Sequence, residues 1–212
     1  MIAGTVYGIV LNDRAERETL ADVFAEPPYK APPKAPVLYI KPRNTLSIGG
    51  APVALAADLA EVEAAATLGL LFGRDATKCD AASALADVSA ICLALDVSEP
   101  QANYYRPAVR QRCRDGFLPL AEFAPFDPAL LKEEIVTAVD GRDMHRWNLL
   151  RLVRDAATLI ADISDFMTLA AGDLLLVGLP HDAPRVTAGK RVRVTCEGLP
   201  ALETHFVREE VI

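Results

Sequence analysis

Hydrophobic and polar residues follow one another along the chain in patterns that predict mainly β-strands. Between residues 190 and 198 every second side chain is apolar, which is typical of a strand with one buried face. Two apolar runs, at 62–72 and 91–98, favour buried strands over helices, and the first of them ends at Gly73. Shorter apolar runs predict further strands at residues 4–12, 37–42 and 174–178.

Helical spacing of apolar residues occurs in two segments. Residues 80–90 carry apolar side chains at this spacing, with Asp80 as a candidate N-cap. A longer helix is predicted to begin near Asn148 and to run toward Gly172, which breaks it. Its apolar positions, which step by 4, 3, 4 and 3 residues, are Leu149, Val153, Ala156, Ile160 and Ile163.

The connections between these segments are marked by turn-forming and stiffening residues. Asp140–Gly141 is the signature of a tight hairpin. Five prolines in residues 27–36 predict a stiff polyproline connector on the surface. The pattern lacks alternating strands and helices, so we expect a β-rich α+β fold in a single domain, 1–212. In it, residues 1–36 form the first strand and the connector, and 37–212 form the main β-structure.

The charge balance limits the partners of the chain. It has 29 acidic and 22 basic residues, a formal charge of −7 and an isoelectric point near 5.0. Nucleic-acid binding needs a broad basic face, so nucleic acid is not expected as a partner. No window approaches the run of about 18 apolar residues that spans a membrane, so no membrane association is expected.

The cysteines and the N-terminal residues indicate the compartment. The four cysteines are far apart and form no CxxC pair, and Cys92 and Cys196 fall in apolar segments. Free, buried thiols are typical of a reducing environment. The N-terminal residues lack the basic and cleavable features of a signal peptide. These features predict a cytoplasmic protein.

Carboxylates are the first candidates for chemistry, because the common nucleotide-binding, hydrolase and zinc-protease motifs do not occur. Glu61 and Glu63 are two positions apart, so in a strand both point to the same face. With Asp96 as a third ligand they could hold a hard divalent cation. The alternative is that both glutamates lie on the solvent side of a strand.

Four arginines within nine residues form the second candidate site in this acidic chain. They lie in residues 104–117, together with Asp115. A guanidinium binds a planar carboxylate through two parallel hydrogen bonds, so the segment is suited to a carboxylated ligand. The alternative is an exposed surface segment in which Asp115 pairs with one arginine.

Three segments resemble the fumarylacetoacetate hydrolase family when taken together. They are YKAPPKAPVLYIKPRNT (29–45), LDVSEPQANYYRPAVRQRCRDGFLPL (95–120) and ISDFMTLAAGDLLLVGLP (163–180). Within the family the chain is most similar to the branch that degrades 4-hydroxyphenylacetate. That isomerase/decarboxylase occurs as two homologous halves, fused or separate, and the chain resembles the N-terminal half or subunit.

The resemblance implies a mixed β-sandwich roll and chemistry on a multiply carboxylated 2-oxo acid. It implies decarboxylation of 5-oxopent-3-ene-1,2,5-tricarboxylate or isomerisation of 2-hydroxyhepta-2,4-diene-1,7-dioate, both through an enolate. In catalytic members a Mg²⁺ or Mn²⁺ ion stabilises that enolate. The catalytic residues implied here are Lys41, Arg112 and Asp115. The implied substrate-binding residues are Asn44, Tyr105, Arg106 and Gly178.

The chain departs from the family pattern at the metal ligands. The two glutamates of the family fall on Ala65 and Thr67 here, while Asp96 matches the third ligand. Glu61 and Glu63 lie four residues too early and could serve only if the strand register slipped.

Three further positions also differ. The family's catalytic lysine is Arg112, which stays charged and cannot serve as a base near neutral pH. The Gly-Thr-Pro element reads Gly178-Leu179-Pro180, and Glu16 stands where a histidine is expected.

Three functions therefore remain open. The chain is an enzyme subunit for isomerisation or decarboxylation, a non-catalytic partner of a homologous metal-dependent subunit, or a C–C bond hydrolase of the same family. In each case we expect a homo-oligomer, or a hetero-oligomer with a homologous subunit.

Overall fold

The computed structural model describes residues 2–101 and 103–209. In this part of the chain strands predominate over four short helices, which confirms the predicted β-rich α+β fold. The strands are β1 (Val6–Val10), β2 (Val37–Lys41), β3 (Leu46–Ile48), β4 (Val53–Leu55), β5 (Val62–Phe72), β6 (Val88–Ser98), β7 (Leu118–Leu120), β8 (Ala124–Pro125), β9 (Ile135–Val139), β10 (Arg142–Trp147), β11 (Leu174–Leu176), β12 (Arg185–Val186), β13 (Arg191–Cys196) and β14 (Leu202–Arg208). The helices are α1 (Arg14–Thr19), α2 (Ala21–Ala25), α3 (Val109–Arg112) and α4 (Ala156–Ser164).

The larger sheet has nine strands, with the main order β2-β1-β11-β5-β6-β7-β3. Its two central strands, β5 and β6, are antiparallel and eleven residues long. Both are buried over most of their length, because apolar clusters pack on the two faces of this sheet. Their continuous apolar sequences, rather than alternating ones, follow from burial on both sides.

The smaller sheet has the order β10-β9-β13-β14-β4. Strand β13 alternates between exposed and buried residues, as its sequence predicts. The turn at Asp140 and Gly141 joins β9 to β10, and both residues have positive φ. That conformation favours this dipeptide in a tight hairpin. Trp147 at the end of β10 donates its indole hydrogen to the carbonyl of Ala66 in β5, which ties the two sheets together.

The helix predicted for residues 80–90 is wrong. Only Ala84–Asp87 forms a single 3-10 turn, and strand β6 begins at Val88. The Asp80 carboxylate accepts the backbone hydrogen of Ser83, so it closes a turn rather than starting an α-helix. Pairing of β6 along β5 stabilises the extended backbone and overrides the local helical spacing.

The helix predicted from Asn148 is shorter than expected. A 3-10 turn spans Leu149–Arg151, and α4 begins only at Ala156, with Asp155 as its N-cap. The intervening backbone pairs instead with the end of the first strand, where the Val153 amide donates to the carbonyl of Asn12. The helix also ends at Ser164, before the predicted stop.

Helices α1 and α2 were not predicted, although α1 has a recognisable start. Asp13 caps it by accepting the backbone hydrogen of Ala15, and Glu16 follows three residues after the cap. That spacing matches a capping-box pattern. Residues 27–36 form no regular helix or strand. The predicted stiff polyproline connector is interrupted by a turn at 27–29, where the amides of Tyr29 and Lys30 donate to the carbonyl of Glu26.

The cysteines agree with the sequence-based expectation. All four cysteines are free, and Cys92 and Cys196 are buried. None of the helices in the described ranges is long and apolar enough to cross a membrane.

Candidate functional site

A cavity of about 240 Å³ lies beside the ends of β5 and β6, with α1 and α2 forming one wall. Apolar and polar residues share its lining. The polar side chains include five from separate parts of the chain: Glu16, Glu63, Tyr104, Arg112 and His181. A cavity that combines apolar walls with converging polar groups is the usual form of a small-molecule site.

A buried cluster of charges centres on Asp96. Lys41 Nζ lies 3.1 Å from Asp96 Oδ1, and Arg112 Nη1 lies 3.2 Å from the same oxygen. The hydroxyl of Tyr39 donates to the other oxygen, and the Arg112 guanidinium lies 4.8 Å from the Tyr39 ring centre. The Asp96 carboxylate, which is fully buried, is therefore held by two cations and a hydroxyl.

Lys41 has a structural set of contacts. Its ammonium donates to the carbonyls of Val97, Arg112 and Phe117 at 2.8–3.0 Å, and its side chain is fully buried. Burial lowers the pKa of Lys41, while the Asp96 carboxylate opposes this effect. The ammonium holds the 112–117 segment against β6 and does not line the cavity. Lys41 does not contact the cavity, and its catalytic role stays a prediction.

Glu16 and Tyr104 form the hydrogen-bonded pair of the cavity. The Tyr104 hydroxyl donates to Glu16 Oε1 at 2.5 Å. Burial raises the pKa of Glu16, and the hydrogen bond from Tyr104 opposes this. Burial also raises the pKa of Glu63, which shares the cavity. Carboxyl groups with raised pKa values are suited to proton transfer near neutral pH.

Asp13 connects two walls of the cavity. Its carboxylate accepts from the backbone amide of Ala15 at 3.0 Å, from Arg151 Nη2 at 2.5 Å and from the backbone amide of His181 at 3.1 Å. These contacts position both α1, which carries Glu16, and the loop that carries His181. The sequence did not indicate this arrangement, because its histidines are scattered along the chain.

Asp13, His181 and Asp182 could together hold a metal ion, since one ligand atom from each lies within 4.8 Å of the others. However, Arg151 Nη2 already lies 2.5–3.1 Å from an atom of all three residues. Burial alone would raise the pKa of Asp182, but hydrogen bonds from Arg151 and His145 lower it to about 2. The guanidinium therefore already occupies the cation position in this group.

Four further predicted residues do not line the cavity. Tyr105 and Arg106 are exposed and line an adjoining groove of about 450 Å³, which shares Tyr104 and Arg112 with the cavity. Asn44 donates to Asp115 at 2.6 Å and to the carbonyl of Cys113 at 3.0 Å, so this pair orders the loop that follows α3. Their roles in substrate binding and catalysis stay predictions.

Gly178 shapes one end of the cavity without lining it. It has a φ of +150°, and a side chain there would come within 2.7 Å of Leu152. Its carbonyl accepts the hydroxyl hydrogen of Thr67 at 2.5 Å. The residues directly after it, Leu179 to His181, reach the cavity.

The residues beside Asp96 do not fit a divalent cation. The register of β5 and β6 is continuous from Glu63 to Leu71 and places Ala65 opposite Asp96, so the register slip that the glutamates would need is not present. Glu61 instead pairs with Arg185 at 2.7 Å. Asp96 Oδ1 is in contact with two cations, Lys41 and Arg112, whereas a divalent ion requires several oxygen ligands.

The other arginines of the run are paired at the surface or near it. Arg110 pairs with Asp58 at 3.0 Å, and Arg114 pairs with Glu99 at 2.6 Å. Of the four, Arg112 is the one that lines the cavity, which separates it from its neighbours in the sequence.

Comparisons with known proteins agree with this fold. The chain is 40% identical over 207 residues to a 4-hydroxyphenylacetate degradation bifunctional isomerase/decarboxylase of Salmonella dublin, covering 98% of this chain and 48% of that protein. The chain therefore spans about half the length of the curated relatives it matches. Its assignment to the N-terminal half stays a prediction.

Two solved structures have the same fold. A 5-carboxymethyl-2-hydroxymuconate delta-isomerase from Mycobacterium smegmatis superposes with a TM-score of 0.83 at 26% identity, covering 99% of this chain and 78% of that one. A fumarylpyruvate hydrolase from Pseudomonas aeruginosa, in complex with Mn²⁺ and pyruvate, has a TM-score of 0.80 at 22% identity, with 97% and 90% covered. The similarity to the fumarylpyruvate hydrolase shows a shared fold alone.

The family model described as fumarylacetoacetate (FAA) hydrolase C-terminal matches residues 5–207. This match covers both sheets and every residue of the cavity described above. The chain belongs to the fumarylacetoacetate hydrolase family.

Proposed function

We propose that this chain is a subunit of an isomerase/decarboxylase that acts on a multiply carboxylated 2-oxo acid in 4-hydroxyphenylacetate catabolism. One observation carries the proposal: Arg112, a fixed cation, and Glu16, a buried carboxyl group, face the same cavity. The first suits a substrate carboxylate, and the second suits proton transfer to or from carbon. The names of the relatives support the same reaction class.

Arg112 is the proposed carboxylate-binding residue. Its hydrogen bond to Asp96 uses one of its terminal nitrogens, Nη1, and the side chain borders the cavity. The remaining edge of a guanidinium can bind a carboxylate through two parallel hydrogen bonds. Arginine stays protonated near neutral pH, so Arg112 binds and orients the substrate but does not act as a base.

Glu16 is the proposed proton-transfer group. Loss of CO₂ from a carboxylate β to the 2-oxo group leaves the electrons of the broken bond in an enolate, which then takes a proton at carbon. A 1,3 proton shift passes through the same enolate, so one acid/base group serves both reactions. The hydrogen bond from Tyr104 orients the carboxyl group of Glu16 and favours its charged form.

A second function is favoured by a specific observation. Ala65 and Thr67 stand at two of the positions where the family resemblance places metal ligands, Asp96 is paired with Lys41 and Arg112, and the chain spans about half of its relatives. In this alternative the chain is a non-catalytic partner that stabilises a homologous metal-binding subunit in a hetero-oligomer. A C–C bond hydrolase is the third candidate, but it requires both a metal ion and a water-activating histidine, and Glu16 stands at that histidine's position.

Turnover by the purified chain tests the proposal. The tricarboxylate and the heptadienedioate substrates are each supplied with EDTA, with Mg²⁺, and with an added metal-binding homologous subunit. If the chain is an enzyme subunit, we expect turnover by the chain alone. We also expect Glu16→Gln to lower the turnover rate by about 100-fold or more. Arg110→Gln, which removes an exposed arginine paired with Asp58, is the matched control.

The outcomes separate the candidates. Turnover by the chain alone that survives in Arg110→Gln and falls in Glu16→Gln supports the enzyme subunit. Absent turnover, together with raised activity or association of the added subunit on a sizing column, supports the partner subunit. Release of a C–C cleavage product in place of CO₂ or the isomer supports the hydrolase.

A further inference from the structure

We infer that the Arg112 guanidinium, backed by Lys41, takes the place of a metal ion beside Asp96, so that this cavity binds a carboxylate or 2-oxo acid without a divalent cation. The inference deepens the proposed function and rests on it for the identity of the site. It assigns the positive charge of the site to two side chains of the chain itself.

The oxygen atoms of Asp96 are already in use. Lys41 Nζ and Arg112 Nη1 both contact Oδ1, at 3.1 and 3.2 Å, and Tyr39 donates to Oδ2. A metal ion at this carboxylate would have to displace buried cations. Removing such partners from a buried charge is strongly unfavourable.

The two positions where the family's glutamates would fall supply no replacement ligands. Ala65 lies directly opposite Asp96 in the sheet and has no ligand atom. The hydroxyl of Thr67, two residues along, donates to the Gly178 carbonyl at 2.5 Å. Magnesium and manganese prefer several oxygen ligands in octahedral geometry, and one carboxylate that already bears two cations does not provide them.

The balance of charge favours an anion instead. Two cations face one carboxylate in the buried cluster. Glu16 and Glu63 also line the cavity, but burial raises the pKa of both, which favours their uncharged forms. Burial by itself would lower the pKa of Arg112, but the Asp96 carboxylate acts together with Tyr39, Tyr104 and Glu63 to raise it. Arg112 is therefore a permanent cation, and it is the member of the cluster that lines the cavity.

The experiment measures binding rather than turnover, with oxalate as a planar dicarboxylate probe. Calorimetry with the whole chain in EDTA is expected to show oxalate binding with the same affinity as in Mg²⁺. Mn²⁺ added alone and followed by electron paramagnetic resonance is expected to show no stoichiometric binding. Stoichiometric Mn²⁺ binding that is lost in Asp96→Asn would overturn the inference, and so would oxalate binding that requires metal or does not occur.

Variants of Arg112 test whether oxalate binds to its guanidinium. Arg112→Gln is expected to weaken oxalate binding by about 10- to 100-fold, the usual effect of losing hydrogen bonds to a charged group. Arg110→Gln is the matched control and should bind normally. If Arg112→Gln fails to fold, Arg112→Lys keeps the charge but not the paired donors and should still bind more weakly. Unchanged binding in a folded Arg112 variant contradicts the inference.

This experiment is independent of the reaction. Metal-free oxalate binding without turnover of either substrate would refute the proposed enzyme function and leave the inference standing. Turnover that is abolished by EDTA, with Mn²⁺ bound at Asp96, would refute the inference and leave the enzyme function standing.

Discussion

Tyr104 and Glu16 are 88 residues apart in the sequence, yet the tyrosine hydroxyl donates to Glu16 Oε1 at 2.5 Å. The bond joins α1 to the segment that precedes α3. Two opposing effects meet at this carboxyl group, because burial raises the pKa of Glu16 and the hydrogen bond lowers it. Tyr104 therefore influences the pH at which Glu16 gains or loses its proton.

Tyr104→Phe should raise the pKa of Glu16 further. The variant removes the hydrogen bond that favours the charged carboxylate and leaves the effect of burial in place. A titration of the glutamate side-chain carbons by nuclear magnetic resonance measures the midpoint directly. Tyr105→Phe changes an exposed neighbour and should leave the midpoint where it is. A midpoint that stays the same or falls in Tyr104→Phe would show that the hydroxyl does not stabilise the carboxylate.

Glu16→Gln should reduce the dependence of stability on pH. The pKa of Glu16 is raised in the folded state above its ordinary value of 4.5, so the folded state binds this proton more tightly than the unfolded state. That contribution to stability is full below pH 4.5 and is lost as the pH rises through the raised pKa. The glutamine has no proton to lose.

Urea unfolding between pH 4 and pH 8 tests this expectation. The free energy of unfolding of Glu16→Gln, relative to the native chain, should increase as the pH rises. Glu61→Gln is the control, since Glu61 is partly exposed and pairs with Arg185. A difference that is flat or falls with pH would contradict the raised pKa.

Asp96→Asn should be among the most destabilising changes in the sheet. It leaves Lys41 and Arg112 buried without their counter-charge, which typically costs about 3–5 kcal/mol. Asp58→Asn removes the partner of Arg110 at an exposed pair and should cost less than about 1 kcal/mol. Chemical unfolding at constant pH compares the two. Similar losses of unfolding free energy in both variants would mean that ion pairing does not stabilise the buried cluster.

Asp13→Ala should loosen α1 and the loop of His181 together. The change removes an N-cap, worth about 1 kcal/mol, and also the acceptor for Arg151. Hydrogen exchange of the α1 amides should become faster and the loop amides should follow. Asp127→Ala removes the cap of the 3-10 turn Pro128–Lys132 and should affect that turn alone. Faster exchange in α1 without any change in the loop would show that Asp13 does not hold the two walls of the cavity together.

Part of the sheet structure could be predicted from sequence because the longer strands carry their own signal. Residues 62–72 and 191–196 differ in pattern, continuous against alternating, and the two strands are buried on both faces and on one face respectively. The failures came where distant partners competed with local spacing. Residues 88–90 extend β6 because β5 lies beside them, and the backbone near Val153 pairs with Asn12.

The candidate site was harder to predict, because its members come from separate elements. Arg112 and Asp96 were identified from the sequence, but their direct contact was not. Tyr39, Tyr104 and His181 carried no local signal of function. The offset of Glu61 and Glu63 from the expected metal positions was visible in the sequence, and the observed register keeps that offset.

The sequence by itself determined the long strands at 62–72, 91–98 and 191–196, the Asp140–Gly141 hairpin and the local run of arginines in an acidic chain. Those features depend on burial patterns and backbone preferences that act over a few residues. Only the tertiary structure decided that Arg112 turns inward to Asp96 while Arg110 stays at the surface. Contacts between polar groups far apart in the chain depend on how the sheets cross and pack, and no local pattern encodes that geometry.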